Sequence, residues 1–185
     1  MTDRRELSFG GWRHSCASHI HNLTQQARQS IDRTKFTFGA TSAIITNLGL
    51  IVGLDEGTDA KFHIVGALLL IALADNISDS LGIHMHQESE GLSNREAWFS
   101  TLTNFIARLF VSAIFILLVW YLPLNLAVLF SIIWGILLLV LLSVVIARSQ
   151  QTSVSQAIVE HLGLAVVVIA LSRLVGHWIS EEFNV

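Results

Sequence analysis

Apolar and polar positions alternate along this chain in long blocks rather than in short strands. Five apolar stretches run approximately Phe36–Leu54, Phe62–Ile83, Thr101–Leu122, Leu124–Ala147 and Ala157–Ile179. Each reaches the roughly 20 residues that a helix needs to cross a bilayer. The pattern therefore predicts an all-α, polytopic membrane protein with five transmembrane helices over 36–179. Pro123 separates the third and fourth stretches and predicts a tight hairpin there. Residues 1–35 are polar and read as a cytoplasmic tail or an interfacial helix. Residues 180–185 read as a short acidic tail. The one substantial internal loop is expected over His84–Ser100, about 17 residues.

The loops suggest an orientation. Arg4, Arg5, Arg13, Arg28, Arg33 and Lys35 precede the first stretch, Arg95 falls in the second loop and Arg148 in the fourth. The first loop holds Lys61 against Asp55, Glu56 and Asp59, and the third loop has no Lys or Arg. The excess of cationic residues on cytoplasmic loops then places the N-terminus inside and the C-terminus outside.

The second stretch ends in ADNISDSLGIHMHQESE, residues 74–90. Asp75, Asp79, Gly82 and His86 follow i, i+4, i+7, i+11 and share one helix face, with Glu90 next if the helix continues. A carboxylate at mid-membrane costs ~2.5–3.5 kcal/mol on insertion scales, so both acids must face the bundle interior or water. One reading is structural: the acids pair with Arg108 or Arg173, or take up protons. The other is a cation path. Carboxylate and imidazole ligands suit Fe, Mn and Zn, and His84, His86, Glu88 and Glu90 would collect the ion at the mouth. The plain alternative for that mouth is a polar helix end.

Other polar positions are less specific. Ser42, Thr46, Gly49 and Gly53 form a small-residue face on the first stretch, with Asn47 off it. Such a face lets helices approach closely. Asn104 and Arg108 lie near the cytoplasmic end of the third stretch, and Arg108 is expected to snorkel to that interface. The fourth stretch reads as a lipid-facing or packing helix. Glu160 and His161 open the fifth; Arg173 and His177 close it, and salt bridges or interface anchoring account for these as well as transport does. His14, Cys16, His19 and His21 cluster near the N-terminus at spacings that fit no established zinc pattern.

Composition narrows the classes. Hydrophobic residues make up 52% and charged residues 14% of the 185, with mean hydropathy +0.61, too little charge to cover a soluble domain of this size. The formal net charge of -3 and the lack of a basic, aromatic-laced patch argue against nucleic acid. A single cysteine excludes an intrachain disulfide framework.

FGATSAIITNLGLIVGL in the first stretch and ALADNISDSLGIHM in the second resemble the vacuolar iron transporter family. That family's Gly-Ala-Asn-Asp-Gly motif corresponds to Gly39, Ala40, Thr41, Ser42 and Ala43. Its Ser-Met-Ala-x-Gly-Glu-Tyr run corresponds to Ser78–His84. Ser42 thus stands where the family has an acid, Asp79 where it has a methionine ligand and Ile83 where it has a glutamate. The helical metal-binding domain that plant-type members insert after the second span has no room here. The resemblance implies a compact transporter of Fe²⁺ or Mn²⁺, not an enzyme, coupled to protons, with no tightly bound cofactor. It implies a homodimer whose pathway, lined by Ser42, Thr46, Asn47 and Gly49, follows the two-fold axis. Asp75 and Asp79 would replace the family's acids, with Asp75, Asp79, His84, His86, Glu88 and Glu90 as the metal-binding set. The membrane expected is a bacterial inner membrane, or a vacuolar or other organelle membrane in a eukaryote. The competing expectation is a non-transporting assembly or regulatory protein on the same scaffold. A third, an intramembrane metal enzyme using His84, His86, Glu160 and His161, finds no nucleophile or base motif to support it.

Overall fold

A computed structural model describes residues 39–57 and 61–183. The N-terminal segment with His14, Cys16, His19 and His21 lies outside the described residues. The described chain is all helical and folds as five helices. These are α1 (39–57), α2 (Lys61–Ser89), α3 (Asn94–Tyr121), α4 (Leu124–Gln150) and α5 (Val154–Phe183). The last four are long and apolar enough to cross a bilayer, as expected for an integral membrane protein. Short connections reverse the chain each time. One end of the bundle gathers the start of α1, the end of α2, the start of α3, the end of α4 and the start of α5.

Local chemistry sets these boundaries. Gly91 has φ 77° after α2, and Leu92 N–H donates to the Gln87 carbonyl (3.2 Å) while Gly91 N–H donates to the Glu88 carbonyl (3.0 Å). This is a Schellman closure on glycine. Ser93 and Glu96 then form a capping box that starts α3, with the Glu96 carboxylate accepting from the Ser93 backbone N–H at 3.3 Å. The loop expected over His84–Ser100 therefore shrinks to Glu90–Ser93; its flanks are helical because a stop signal and a start signal sit only two residues apart. Lys61 Nζ donates to the Trp120 (2.7 Å) and Leu122 (2.9 Å) carbonyls, closing the far end of α3. Helix α5 continues through most of the segment read as an acidic tail.

Helix α1 is the centre of the packing. Ile44, Leu48 and Ile51 are fully or almost fully buried with Ile64 and Leu68 of α2, Phe115 and Val119 of α3 and Leu139 of α4. Small residues allow this approach. On α4 the buried positions recur every four residues: Ala127, Ser131, Gly135, Leu139, Ser143 and Ala147. A Cβ on Gly135 would meet Leu48 Cδ1 at 2.5 Å, so that glycine is the socket for Leu48. The small-residue face of α1 is covered within the chain: Gly49 packs on Val168 and Ser172, Gly53 on Ser172, and Gly57 on Gly176 of α5. The outer surface is the reverse. Leu70, Phe110, Leu137, Val166 and Leu174 are among many large apolar side chains more than half exposed, which fits lipid as the outer solvent.

Trp98 and Trp120 are exposed at the two ends of α3. Twenty-two residues apart at ~1.5 Å rise each, they stand roughly 33 Å from each other, close to the hydrocarbon thickness. Exposed tryptophans at those levels match an aromatic belt.

Close packing of α5 on α1 leaves no space at Gly176, where an added Cβ would collide with the Gly53 carbonyl oxygen, whereas at Gly66 it would meet nothing. Gly176→Leu is expected to lose about 1–3 kcal/mol of stability through overpacking, and Gly66→Ala to change it by less than ~1 kcal/mol, in the stabilising direction. Thermal unfolding in detergent measures both. Equal stability of the two variants would show that α5 does not pack on α1 this closely.

Candidate intramembrane charge site

Helix α2 changes its winding at its midpoint. Residues Ile71–Asp75 form a π-turn, and the Asn76 N–H reaches back to the Ile71 carbonyl. The Asn76 side chain donates to the Ala72 carbonyl at 2.8 Å. A π-turn inside an α-helix is rare and frequently marks a functional site. Here it sits directly before Asp75, Asn76 and Asp79.

All three residues meet one arginine. Arg108, with 1% of its surface exposed, donates from Nε to Asn76 Oδ1 (2.9 Å), from Nη1 to Asp79 Oδ2 (2.6 Å) and from Nη2 to Asp75 Oδ2 (2.5 Å). The planar guanidinium suits such a fork of acceptors. Asp75 lies halfway along α2 and Arg108 halfway along α3, so the cluster stands near mid-membrane. Of the two sequence readings of Arg108, pairing with Asp75 and Asp79 is what the structure shows, and snorkelling to an interface is corrected. Helix α3 starts at Asn94 rather than near Thr101, which places Arg108 deeper, and two carboxylates hold it there.

The cluster belongs to a polar ladder between α2 and α3. On α3, Thr101, Asn104, Arg108 and Ser112 follow i, i+3, i+7, i+11, and all are buried. Thr101 Oγ1 lies 3.3 Å from His84 Nδ1, and Asn104 Nδ2 donates to Ser80 Oγ at 3.1 Å. At the other end, Asn47 of α1 donates to Ser112 Oγ at 3.0 Å. The oxygens Asn47 Oδ1 and Asn104 Oδ1 are buried without a partner among the described residues. An unmet buried acceptor costs about 1–3 kcal/mol, so the ladder has spare capacity for a proton donor.

The remaining site residues expected from sequence do not converge. His84 is buried, its ring 4.5 Å from that of Trp98, and its Nε2 lies 3.4 Å from Glu88 Oε1. His86 and Glu90 form a separate exposed pair, 3.6 Å apart. Among the described residues no three His, Cys, Asp or Glu side chains are grouped to hold a metal ion. The four residues expected to line a pathway also divide. Ser42 and Thr46 line a cavity between α1, α4 and α5. Asn47 joins the ladder, and Gly49 is packed under α5. Arg173 pairs with Glu56 at 3.1 Å on the surface, the bridging role foreseen for it.

Electrostatics makes the charge site unusual. Two carboxyl groups share one guanidinium, and a charge left uncompensated in a low-dielectric region is expensive. The Arg108 bonds use Oδ2 of each acid, and the acid side chains are 44% and 39% exposed on the outer side of α2. With both acids ionised, one proton would neutralise the cluster, whereas a divalent ion would carry it from −1 to +1. No protein-family model, curated protein or solved structure matches this chain, so the geometry carries the functional argument.

Removing either kind of partner should have opposite consequences. Arg108→Leu removes the buried guanidinium, leaves two part-exposed carboxylates unpaired on the lipid side and is expected to cost on the order of 3 kcal/mol. Asp79→Asn keeps a hydrogen-bonding group and makes the cluster neutral, so stability should hold or rise. Thermal unfolding in lipid nanodiscs ranks the variants; the reverse order would contradict a shared counter-ion.

Proposed function

We propose that this chain moves divalent cations, Fe²⁺ or Mn²⁺, across a membrane in exchange for protons, with Asp75 and Asp79 as the acids that meet the ion. The observation that carries this reading is the pair of carboxylates sharing one guanidinium at mid-membrane. With both acids ionised, that cluster holds one carboxylate more than Arg108 balances; a proton would neutralise it, and a divalent ion would need a further acid, such as one from a second copy, to be balanced. Arg108 acts as a resident counter-cation that keeps the acids together when the cargo is gone. A proton on either acid lowers affinity for the metal, which couples the two movements. Hard carboxylate oxygens favour Mn²⁺ and Fe²⁺ over softer ions. Helix α1 serves as the fifth span, with the N-terminus on the cytoplasmic side and the C-terminus opposite.

The same cluster supports a homodimer. Asp75 and Asp79 open outward beside exposed Leu73, Ile77 and Leu81, and carboxylates facing lipid are costly. A second copy meeting the first along this face of α2 would cover the acids and complete the ligand set. This replaces the small-residue face of α1, already occupied by α5, as the contact surface.

A second reading, a non-transporting membrane scaffold, is favoured by the full engagement of Arg108 and by the lack of a three-ligand cluster among the described residues. Flux decides between them. Mn²⁺ uptake into proteoliposomes with an imposed proton gradient is expected for the wild-type chain, and Asp79→Asn should reduce it at least about tenfold, one lost charge-assisted contact. Flux in Asp79→Asn equal to wild type at every pH would leave the scaffold reading. For the dimer, Ile77→Cys in a Cys16→Ser background should cross-link between copies in the membrane; cross-linking from Gly163→Cys on α5 alone would move the interface away from α2.

A further inference from the structure

A cavity of about 610 Å³ opens at the bundle end where α1 and α5 begin and α4 ends, on the far side of α1 from the charge site. Its polar wall includes Ser42 and Thr46 of α1 and Ser153, Gln156, Glu160 and His161 around the start of α5. Its inner wall is apolar, with Ile45, Ile146 and Leu164. No Lys or Arg lines it among the described residues.

Size suits a small organic molecule better than a bare ion. One water occupies about 30 Å³ of liquid, and sites for small organic ligands span roughly 300–1,000 Å³. Charge selects further. Glu160 gives the cavity a negative group, and Gln156 Nε2 donates to its Oε1 at 2.9 Å, which orients the carboxylate.

The histidine adds a second acceptor. Buried Ser143 of α4 donates its only proton to the Leu139 carbonyl at 2.6 Å. Its oxygen also lies 2.9 Å from His161 Nδ1. In the tautomer where the hydroxyl proton stays directed at the Leu139 carbonyl, Nδ1–H of His161 donates to Ser143 Oγ and Nε2 is left as an acceptor. A buried residue of α4 thus holds the ring of a cavity residue of α5. The wall presents carboxylate, imidazole and hydroxyl acceptors above an apolar floor.

We infer that this cavity binds a small organic cation, a protonated amine on an apolar body, with Glu160 as its counter-ion and His161 Nε2 as a second acceptor. The site is separate from the transport path proposed above and does not depend on it.

The test is equilibrium binding of ethylammonium, phenethylammonium and tryptammonium to the full chain in zwitterionic nanodiscs, with empty nanodiscs as blank. At least one ammonium ion should bind saturably, one per chain, and the alcohol of the same carbon skeleton should bind about tenfold or more weakly, the value of one charge-assisted contact. Glu160→Gln, on an exposed side chain that folding does not require, should weaken the amine to the level of the alcohol. Asp79→Asn should leave binding unchanged. Absence of saturable binding by all three amines would overturn the assignment. So would equal affinity for amine and alcohol, an unaffected Glu160→Gln, or loss of binding in Asp79→Asn, which would put the amine at the charge site instead.

Discussion

One guanidinium held by two carboxylates at mid-membrane governs this bundle. Arg108 is too polar for hydrocarbon alone, and Asp75 and Asp79 are too polar without it. Together they are tolerable, and they fix the rotation and depth of α2 against α3. The π-turn before Asp75 and the ladder of Thr101, Asn104 and Ser112 follow the same contact line. The acids outnumber the arginine two to one. That surplus is what the proposed cation exchange would draw on.

The rest of the packing is of a different kind. Helix α1 is anchored by small residues on both sides, through Gly135 of α4 and through Gly49, Gly53 and Gly176 along α5. In lipid, such close approach replaces the hydrophobic drive that holds soluble bundles together. Tight seams among α1, α4 and α5 contrast with the polar contact between α2 and α3. The cavity at the start of α5 lies where the seams among α1, α4 and α5 diverge. Its acceptors come from residues that the seams do not use, Glu160 and His161 among them.

The helices were legible in the sequence because apolar blocks of bilayer length have few alternatives. The stripe of Asp75 and Asp79 was legible because helical spacing and insertion cost both single it out. Pairing of Arg108 with the acids and its snorkelling to an interface stayed open as rival readings because the hydropathy of 84–100 hides a helical extension at both ends. The capping signals Gly91 and Ser93-x-x-Glu96 mark that extension, and with α3 begun at Asn94 the stripe Thr101, Asn104, Arg108, Ser112 becomes visible. The division of Ser42 and Thr46 from Asp75 was not legible. A face of small residues packs equally well on a neighbouring helix or on a second copy, and nothing local says which. Likewise, His84 and His86 are near in sequence but point apart, since residues two apart on a helix do not face each other.

The most direct measurement of the central interaction is solid-state NMR on the full chain in bilayers, with labelled arginine guanidinium and aspartate carboxyl groups. Difference spectra against Arg108→Leu isolate the signals of Arg108. The account predicts that its guanidinium nitrogens lie within about 4 Å of the carboxyl carbons of both Asp75 and Asp79, as hydrogen bonding requires, with no coupling to lipid phosphorus. A guanidinium coupled to lipid phosphate and remote from both acids would contradict it.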